Sequence, residues 1–390
     1  MVHFKQHAHS VKTALIGLGL LSGLLGAAGA QTIQIGVISA LTGPGAPWGM
    51  AVAEGAKMAA AEVNAKGGLE VGGKKQQVQV IAYDDQYKVA ESVAAYNRLT
   101  KQDGVKYVII MSSAPTMALK QNIEDDKVVA LSGSMLPKSI DADTKYLFRV
   151  WSLPGDFLPS LVSWLKDNVK EKHVYVLNPN DESGADQTQT ISKLYKQNNF
   201  EVVGSDLYER TQKDFQPTLT KIVATKADII DLATSAPATA GLIVRQAREL
   251  GYKGLFVKTG VGGPREIVAA AGKDSAEGTI NMLYADPLNE GFKRLAAQYK
   301  KNVGQDPNEI IVPFYDATNV LLQAIQKAGD VNNTAKVAAA FAQVLPMDAL
   351  QGDKLALGGK ASSGVDHQIM NANYIGAIKN GEPSIIGKIR

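Results

Sequence analysis

Val105-Lys106-Tyr107-Val108-Ile109-Ile110-Met111-Ser112-Ser113-Ala114-Pro115-Thr116 is the stretch that decides how this chain is built. A run of apolar residues interrupted only by Lys106 stops abruptly at small hydroxyl side chains. A short segment this rich in β-branched residues suits a strand buried on both faces of a parallel sheet. Pro115 fits the first turn of a following helix, where its missing N–H costs nothing. In an open parallel sheet the carboxyl edge of the strands is where ligands bind. Free amides at a helix start, beside hydroxyls, can hold an anion such as a carboxylate there. One such junction alone is equally an ordinary strand–loop–helix connection with a Ser/Thr cap, so the surrounding chain has to decide.

Working outward, strand and helix alternate. On the amino-terminal side a buried strand is expected over 33–39, a loop with Gly43-Pro44-Gly45 and Pro47-Trp48-Gly49 over 40–49, and an Ala-rich helix over 50–66 stopped by Gly67-Gly68. A strand over 77–83, capped by Asp84-Asp85, and an amphipathic helix over 88–102 lead into the central strand. Beyond it come a helix near 117–125, a strand over 128–132 and the loop Gly133-Ser134-Met135. The rhythm restarts with strands over 173–177, 201–207 and 227–233, a glycine-rich turn over 259–264, and a returning strand over 278–284. Helices follow around 290–301 and 311–327, and the tail from residue 351 ends in short strand-like pieces. Strands alternating with helices imply right-handed crossovers and parallel sheets. No low-complexity linker separates the halves, which suggests more than one crossing between them and a discontinuous first domain.

The amino terminus is a different kind of sequence. Lys5 and Lys12 precede an apolar stretch over 13–28, and Ala28-Gly29-Ala30 gives a small-x-small cleavage pattern. Residues 1–30 are therefore expected to be a secretory signal peptide. Gly17-Leu18-Gly19 with Gly23 imitates a dinucleotide loop but follows no strand, so it carries no meaning. The formal charge is +3, of which Lys5 and Lys12 supply two, and gives no reason to propose nucleic acid or an anionic membrane as partner. With no cysteine, stability has to come from burial, and thiol catalysis is excluded.

Several fragments, weak singly, are specific in their order. They are Leu41-Thr42-Gly43-Pro44, Asn64-Ala65-Lys66-Gly67-Gly68, Tyr83-Asp84-Asp85, the central strand and its hydroxyl loop, Arg245-Gln246-Ala247-Arg248, and Tyr315-Asp316-Ala317. In this order the chain resembles the periplasmic leucine/isoleucine/valine-binding proteins, soluble receptors of ABC importers. The resemblance implies two doubly wound parallel-sheet α/β lobes joined by a three-strand hinge, with a solute bound between them. Lobe 1 is expected over 31–149 plus 279–363, and lobe 2 over 150–278 plus 364–390. It also implies a periplasmic location, an ABC permease in the inner membrane as partner, a monomer, and no cofactor or metal.

The resemblance carries over residue by residue. Trp48 falls where a tryptophan lines the pocket. Ser113, Ala114 and Thr116 fall in the loop that binds the solute's carboxylate, and Ser134 and Met135 in a second such loop, where Leu136 replaces a hydroxyl residue. Ser183 and Ser235 stand where the family commonly has tyrosines that touch the ligand. Over 258–262 the amino-acid binders place a glutamate for the ligand's ammonium, whereas this chain reads Lys258-Thr259-Gly260-Val261-Gly262. A buried ammonium without a carboxylate costs several kcal/mol. Either another acid moves in, Asp156 or Asp286, or the ligand lacks an α-ammonium, which is the favoured reading. Trp48, Met135 and Trp151 are bulky, and Ser183 and Ser235 small, leaving room for a larger apolar or aromatic carboxylate. Both tryptophans could equally be core packing.

An enzyme is not expected. Ser132-Gly133-Ser134 does not fit a nucleophile elbow, and beyond the leader the histidines are His173 and His367, too few for a triad or a metal cluster. Nor is there a Walker phosphate loop. The alternative to transport is a sensory clamshell that hands its ligand signal to a receptor partner.

Overall fold

The β-branched run of the central strand has to be covered on both faces, and the fold is arranged around that need. The computed structural model describes residues 32–389, so the expected signal peptide lies outside the described residues. Tyr107–Ile110 pairs in parallel with Ile33–Ser39 on one side and Val129–Ser132 on the other. Val78–Asp84 and Leu147–Arg149 extend the sheet outward, also in parallel. Gln368–Met370, Lys354–Gly358 and Met347–Asp348 complete eight strands. Val37, Val108, Ile109, Ile110, Val129 and Leu131 are fully buried, and each such side chain contributes about 1.5–3 kcal/mol relative to exposure.

A second sheet of seven strands forms the other lobe. Glu201–Tyr208, His173–Pro179, Ile229–Asp231, Leu255–Val261 and Ile280–Leu283 run parallel, and Asn373–Lys379 and Glu382–Ile389 close the edge antiparallel. Tyr175, Leu177, Ile230, Phe256, Ile243 and Val244 pack its own core.

Strand membership differs from the expected division at two places. Residues 279–283 were expected in the first lobe, but Ile280–Leu283 hydrogen-bonds between Leu255–Val261 and Asn373–Lys379 and so belongs to the second sheet. Gln368–Met370, expected in the second lobe, pairs with Leu147–Arg149 in the first. A hydrophobic pattern identifies a strand but not the edge whose amides it will satisfy. The chain thus crosses between the sheets at residues 150–153, 284–289 and 371–372. Trp151 in the first crossing stacks on Tyr284 in the second, at 4.6 Å and 11°, and Asn371 Nδ2 in the third donates to the Val150 carbonyl at 3.2 Å.

Two element boundaries move towards the cleft. The first helix is Ala46–Ala65 and takes in Pro47-Trp48-Gly49, expected as loop. Pro47 suits its first turn, and Gly49 lies so close to Ala40 that a Cβ there would sit 1.8 Å from that carbonyl oxygen. Leu255–Val261 continues as strand into the first half of the expected glycine-rich turn and carries Lys258 and Gly260 to the lobe interface.

Candidate functional site

Residues just past the carboxyl ends of both sheets line a cleft of about 580 Å³. The first lobe supplies Trp48, Tyr87, Met111, Ser112, Ser113 and Met135, with Gly133 and Ile310. The second supplies Ser183, Gln187, Arg210, Thr234, Lys258 and Gly260, and Trp151 enters from the first crossing.

The hydroxyl loop is built unusually for a helix start. Ser112 is the N-cap of Ser113–Asp126, in extended conformation, yet its side chain does not cap the helix. Its Oγ is buried without a hydrogen-bonding partner among the described residues. The opening amides of an α-helix have no partner inside it. Ser113 Oγ accepts the Met135 amide at 3.0 Å, which leaves its own hydrogen to be donated. Ser112 and Ser113 therefore present two hydroxyls and an amide to the cleft, a donor set suited to an anion.

Four of the expected site residues, Trp48, Ser113, Met135 and Ser183, line the cleft, and four do not. Thr116 is fully buried, its Oγ1 bonded to the Ser112 carbonyl at 2.8 Å and to Ser132 Oγ at 2.7 Å. Ala114 sits on the first helical turn without reaching the cleft wall. Ser134 is held from behind: its hydroxyl accepts the Leu136 amide at 3.2 Å and its carbonyl accepts Arg149 Nε at 3.0 Å. Ser235 N donates to the Leu232 carbonyl at 2.8 Å, a turn in which Thr234, not Ser235, lines the cleft. The other acids considered are also placed elsewhere. Asp156 accepts from the Leu153 amide and Gln368 Nε2, Asp286 from the Leu288 amide, and neither lines the cleft.

Charge is distributed one-sidedly. Among the described residues no Asp or Glu lines the cleft, whereas Arg210 and Lys258 both do. Arg210 is ion-paired with Asp181, the residue that caps Glu182–Gln197, and its guanidinium lies 4.7 Å from the centre of the Tyr87 ring across the lobe boundary. Lys258 is completely buried, donates to the Ala233 carbonyl at 3.0 Å, and is pulled down to about 7 by burial, against the attraction of Glu309. Glu309 is itself raised by burial and by the neighbouring Glu266, and accepts the Gly263 amide at 2.9 Å.

Sequence reasoning did not assign Tyr87, Ser112, Gln187 or Arg210. The rule that ligands gather past strand carboxyl ends could have found Ser112 and Arg210, which directly follow Tyr107–Ile110 and Glu201–Tyr208 by two residues. Tyr87 lies on a connecting segment and Gln187 within the helix Glu182–Gln197, and neither carries such a marker.

A profile of the periplasmic binding protein family matches residues 32–383. The chain belongs to the periplasmic binding proteins. Within that family it is 30% identical over 310 residues to a leucine-, isoleucine-, valine-, threonine-, and alanine-binding protein of Pseudomonas aeruginosa, covering 78% of this chain and 80% of that one. Its fold matches a leucine binding protein of Thermotoga maritima with TM-score 0.79 at 22% identity, covering 92% of this chain and 99% of that one. It also matches a solute-binding protein of R. palustris in complex with benzoate, with TM-score 0.78 at 18% identity, covering 92% and 96%. This periplasmic binding protein is therefore of the leucine/isoleucine/valine-binding kind, with the type I fold, and its relatives are solute-binding proteins.

His173 is exposed at the start of its strand beside Asp228 and Glu201, and the His367 ring is stacked on Phe148 at 4.2 Å. Among the described residues no His/Cys/Asp/Glu group could hold a metal, and no helix is long and apolar enough to cross a membrane.

Proposed function

We propose that this chain is the periplasmic solute-binding component of an ABC importer, capturing a small apolar or aromatic carboxylate that carries no α-ammonium. It does so by closure of the lobes, without covalent chemistry, and delivers the closed form to an inner-membrane permease. The observation that carries this reading is the charge of the cleft: donors on the first lobe, Lys258 and Arg210 on the second, and no acidic side chain among the lining residues. An α-ammonium there would be desolvated beside two cationic side chains, whereas a carboxylate would be welcome. Ser112, Ser113 and the Ser113 amide are the proposed grip. Hydrogen bonds to a charged group contribute about 1.5–3 kcal/mol each, so three of them with an apolar body in contact with Trp48, Met111 and Met135 are enough for micromolar affinity, near −8 kcal/mol.

The benzoate complex of the R. palustris neighbour supports the compatibility of this fold with such a ligand, while the amino-acid binders among the relatives support the transport role. A thermal-shift and calorimetric screen of leucine, its 2-oxo analogue and aromatic acids tests the reading. Acids without an amine should raise the unfolding midpoint most. Leucine outperforming its 2-oxo analogue and every aromatic acid overturns it.

A further inference from the structure

The carboxylate grip leaves part of the cleft's polar inventory unused. Gln187, on the second-lobe helix Glu182–Gln197, is 2% exposed and lines the cleft, and its Oε1 has no hydrogen-bonding partner among the described residues. The indole N–H groups of Trp48 and Trp151, 7% and 2% exposed, are in the same condition and line the same cleft. Leaving buried polar atoms unpaired is unfavourable, and native proteins do so rarely. A solute made only of a carboxylate and hydrocarbon could give the indoles acceptors but could give Gln187 Oε1 no donor.

The missing partner for Gln187 is a hydrogen-bond donor on the face of the solute turned to the second lobe. An ammonium would supply one, but Lys258 and Arg210 stand in the same wall. A hydroxyl supplies it without charge and also offers lone pairs to donors. It satisfies either face of a carboxamide, since it can give a hydrogen to the oxygen or accept one from the nitrogen. Ser183 precedes Gln187 by one helical turn, which puts both side chains on one face of Glu182–Gln197. One oxygen can therefore donate to Gln187 and accept from Ser183.

We propose that the solute is a hydroxylated carboxylate whose hydroxyl is read by the Gln187 carboxamide, making Gln187 the residue that selects hydroxylated acids over their parent acids. The inference rests on the carboxylate reading above and narrows it. Trp48, Trp151 and the thioethers of Met111 and Met135 require the body between the two polar ends to be apolar, as an aromatic ring is.

Calorimetry of the purified chain tests it with benzoate, its 2-, 3- and 4-hydroxy derivatives, 4-aminobenzoate and methyl 4-hydroxybenzoate, beside cinnamate and 4-hydroxycinnamate. At least one hydroxylated acid should bind roughly ten- to a hundredfold more tightly than its parent. In Gln187→Met, which keeps the bulk and loses the amide, that gap should close through weaker binding of the hydroxylated acid, with the parent acid unaffected or tighter. Parent acids binding as tightly as every hydroxylated one, a gap that survives Gln187→Met, or preference for 4-aminobenzoate overturns the proposal and leaves the carboxylate reading standing. No binding by any acid in either series overturns the proposal while the 2-oxo analogue of leucine still tests the carboxylate reading; a methyl ester that binds as well as its acid removes that reading and this inference with it.

Discussion

Lys258 Nζ, on the second lobe, lies 5.9 Å from the centre of the Trp48 ring, on the first. The contact spans the cleft, so the lysine faces an aromatic surface and any solute held against it. Burial brings its pKa to about 7. The protonated form attracts an anion, and an anionic solute therefore favours proton uptake. The sign follows: affinity should be highest below about pH 7 and should weaken as pH rises through that value. Lys258→Met removes the charge at similar length. It should flatten this pH dependence and weaken binding about tenfold at pH 6, while thermal stability changes little because a costly buried amine is lost with its bond to Ala233. Calorimetry at about pH 6 and 8 checks this; a pH slope that persists in the variant assigns it to another group.

The hydroxyl loop allows a sharper dissection, because two neighbouring hydroxyls have opposite surroundings. Ser112 Oγ is buried and unpaired, whereas Thr116 Oγ1 is paired with Ser132 and with a backbone carbonyl. Ser112→Ala should therefore weaken carboxylate binding about tenfold or more with no loss of stability. Thr116→Val should do the reverse, costing about 1–3 kcal/mol of stability by stranding its partners while leaving the affinity of the folded fraction unchanged. Denaturant unfolding and titration of both variants read this out, and the pattern reversed would return the ligand contact to Thr116.

That contrast also shows where sequence reading ends. The central strand, its carboxyl-edge loop and the two-lobed α/β plan follow from periodicity and from a handful of short fragments, because burial on both faces leaves so few arrangements for residues such as Val108–Ile110. Which of Ser112, Ser113 and Thr116 faces the cleft is a matter of rotation about one helix start, and nothing in a Ser-Ser-Ala-Pro-Thr string records it. Partner choice at sheet edges is equally silent: Gln368 is seated in the first lobe by Leu147–Arg149 and by a 2.9 Å bond from Arg149 Nη1, 219 residues away in sequence. Arg149, completely buried, holds the carbonyls of Ser134 and Leu136 and is lowered to about 10 by desolvation. It fixes the loop that Ser134 was expected to turn towards the solute. The missing acid over 258–262, by contrast, was plain in the sequence, and the structure adds that Lys258 itself lines the cleft.

Stability should depend on pH through carboxyls that the fold keeps protonated. Asp316, buried on helix Ile311–Ala328 and accepting the Leu350 amide at 2.9 Å, is raised from 3.8 to about 7 by desolvation. Because the folded pKa lies above the unfolded one, the native chain holds a proton that the unfolded chain has released. This contribution is complete below about pH 4 and is lost as pH rises through about 7. Glu266 and Glu309 are shifted in the same direction by burial. The unfolding midpoint should therefore fall between about pH 5 and pH 7.5, with Asp316 supplying up to a few kcal/mol of the change. Asp316→Asn keeps an acceptor for Leu350 and cannot titrate, so its midpoint should fall less over the same interval. An unchanged slope would exclude Asp316 as the source.

Arg210 and Tyr87 carry the clearest prediction about closure. The guanidinium and the phenol ring come from different lobes and lie 4.7 Å apart, so their stacking exists only while the lobes are together. Tyr87 itself is held at φ 62°, and Gln86 at φ 50°, backbone values that non-glycine residues rarely adopt. Such local strain is retained where the surroundings over-determine it, here at the rim of the cleft. A solute can stabilise the closed form only through contacts that the open form lacks, and this pair biases the same equilibrium from the protein side. Arg210→Lys keeps a positive charge for Asp181 but gives up the planar stack, worth about 0.5–2 kcal/mol for a partly desolvated cation over an aromatic face. Affinity should fall roughly two- to thirtyfold, chiefly through faster dissociation, for acids of every kind alike, since the stack touches closure and not selectivity. Stopped-flow dissociation of two acids of different affinity measures it. A loss confined to one acid would move Arg210 from the closing contact into the reading of the solute.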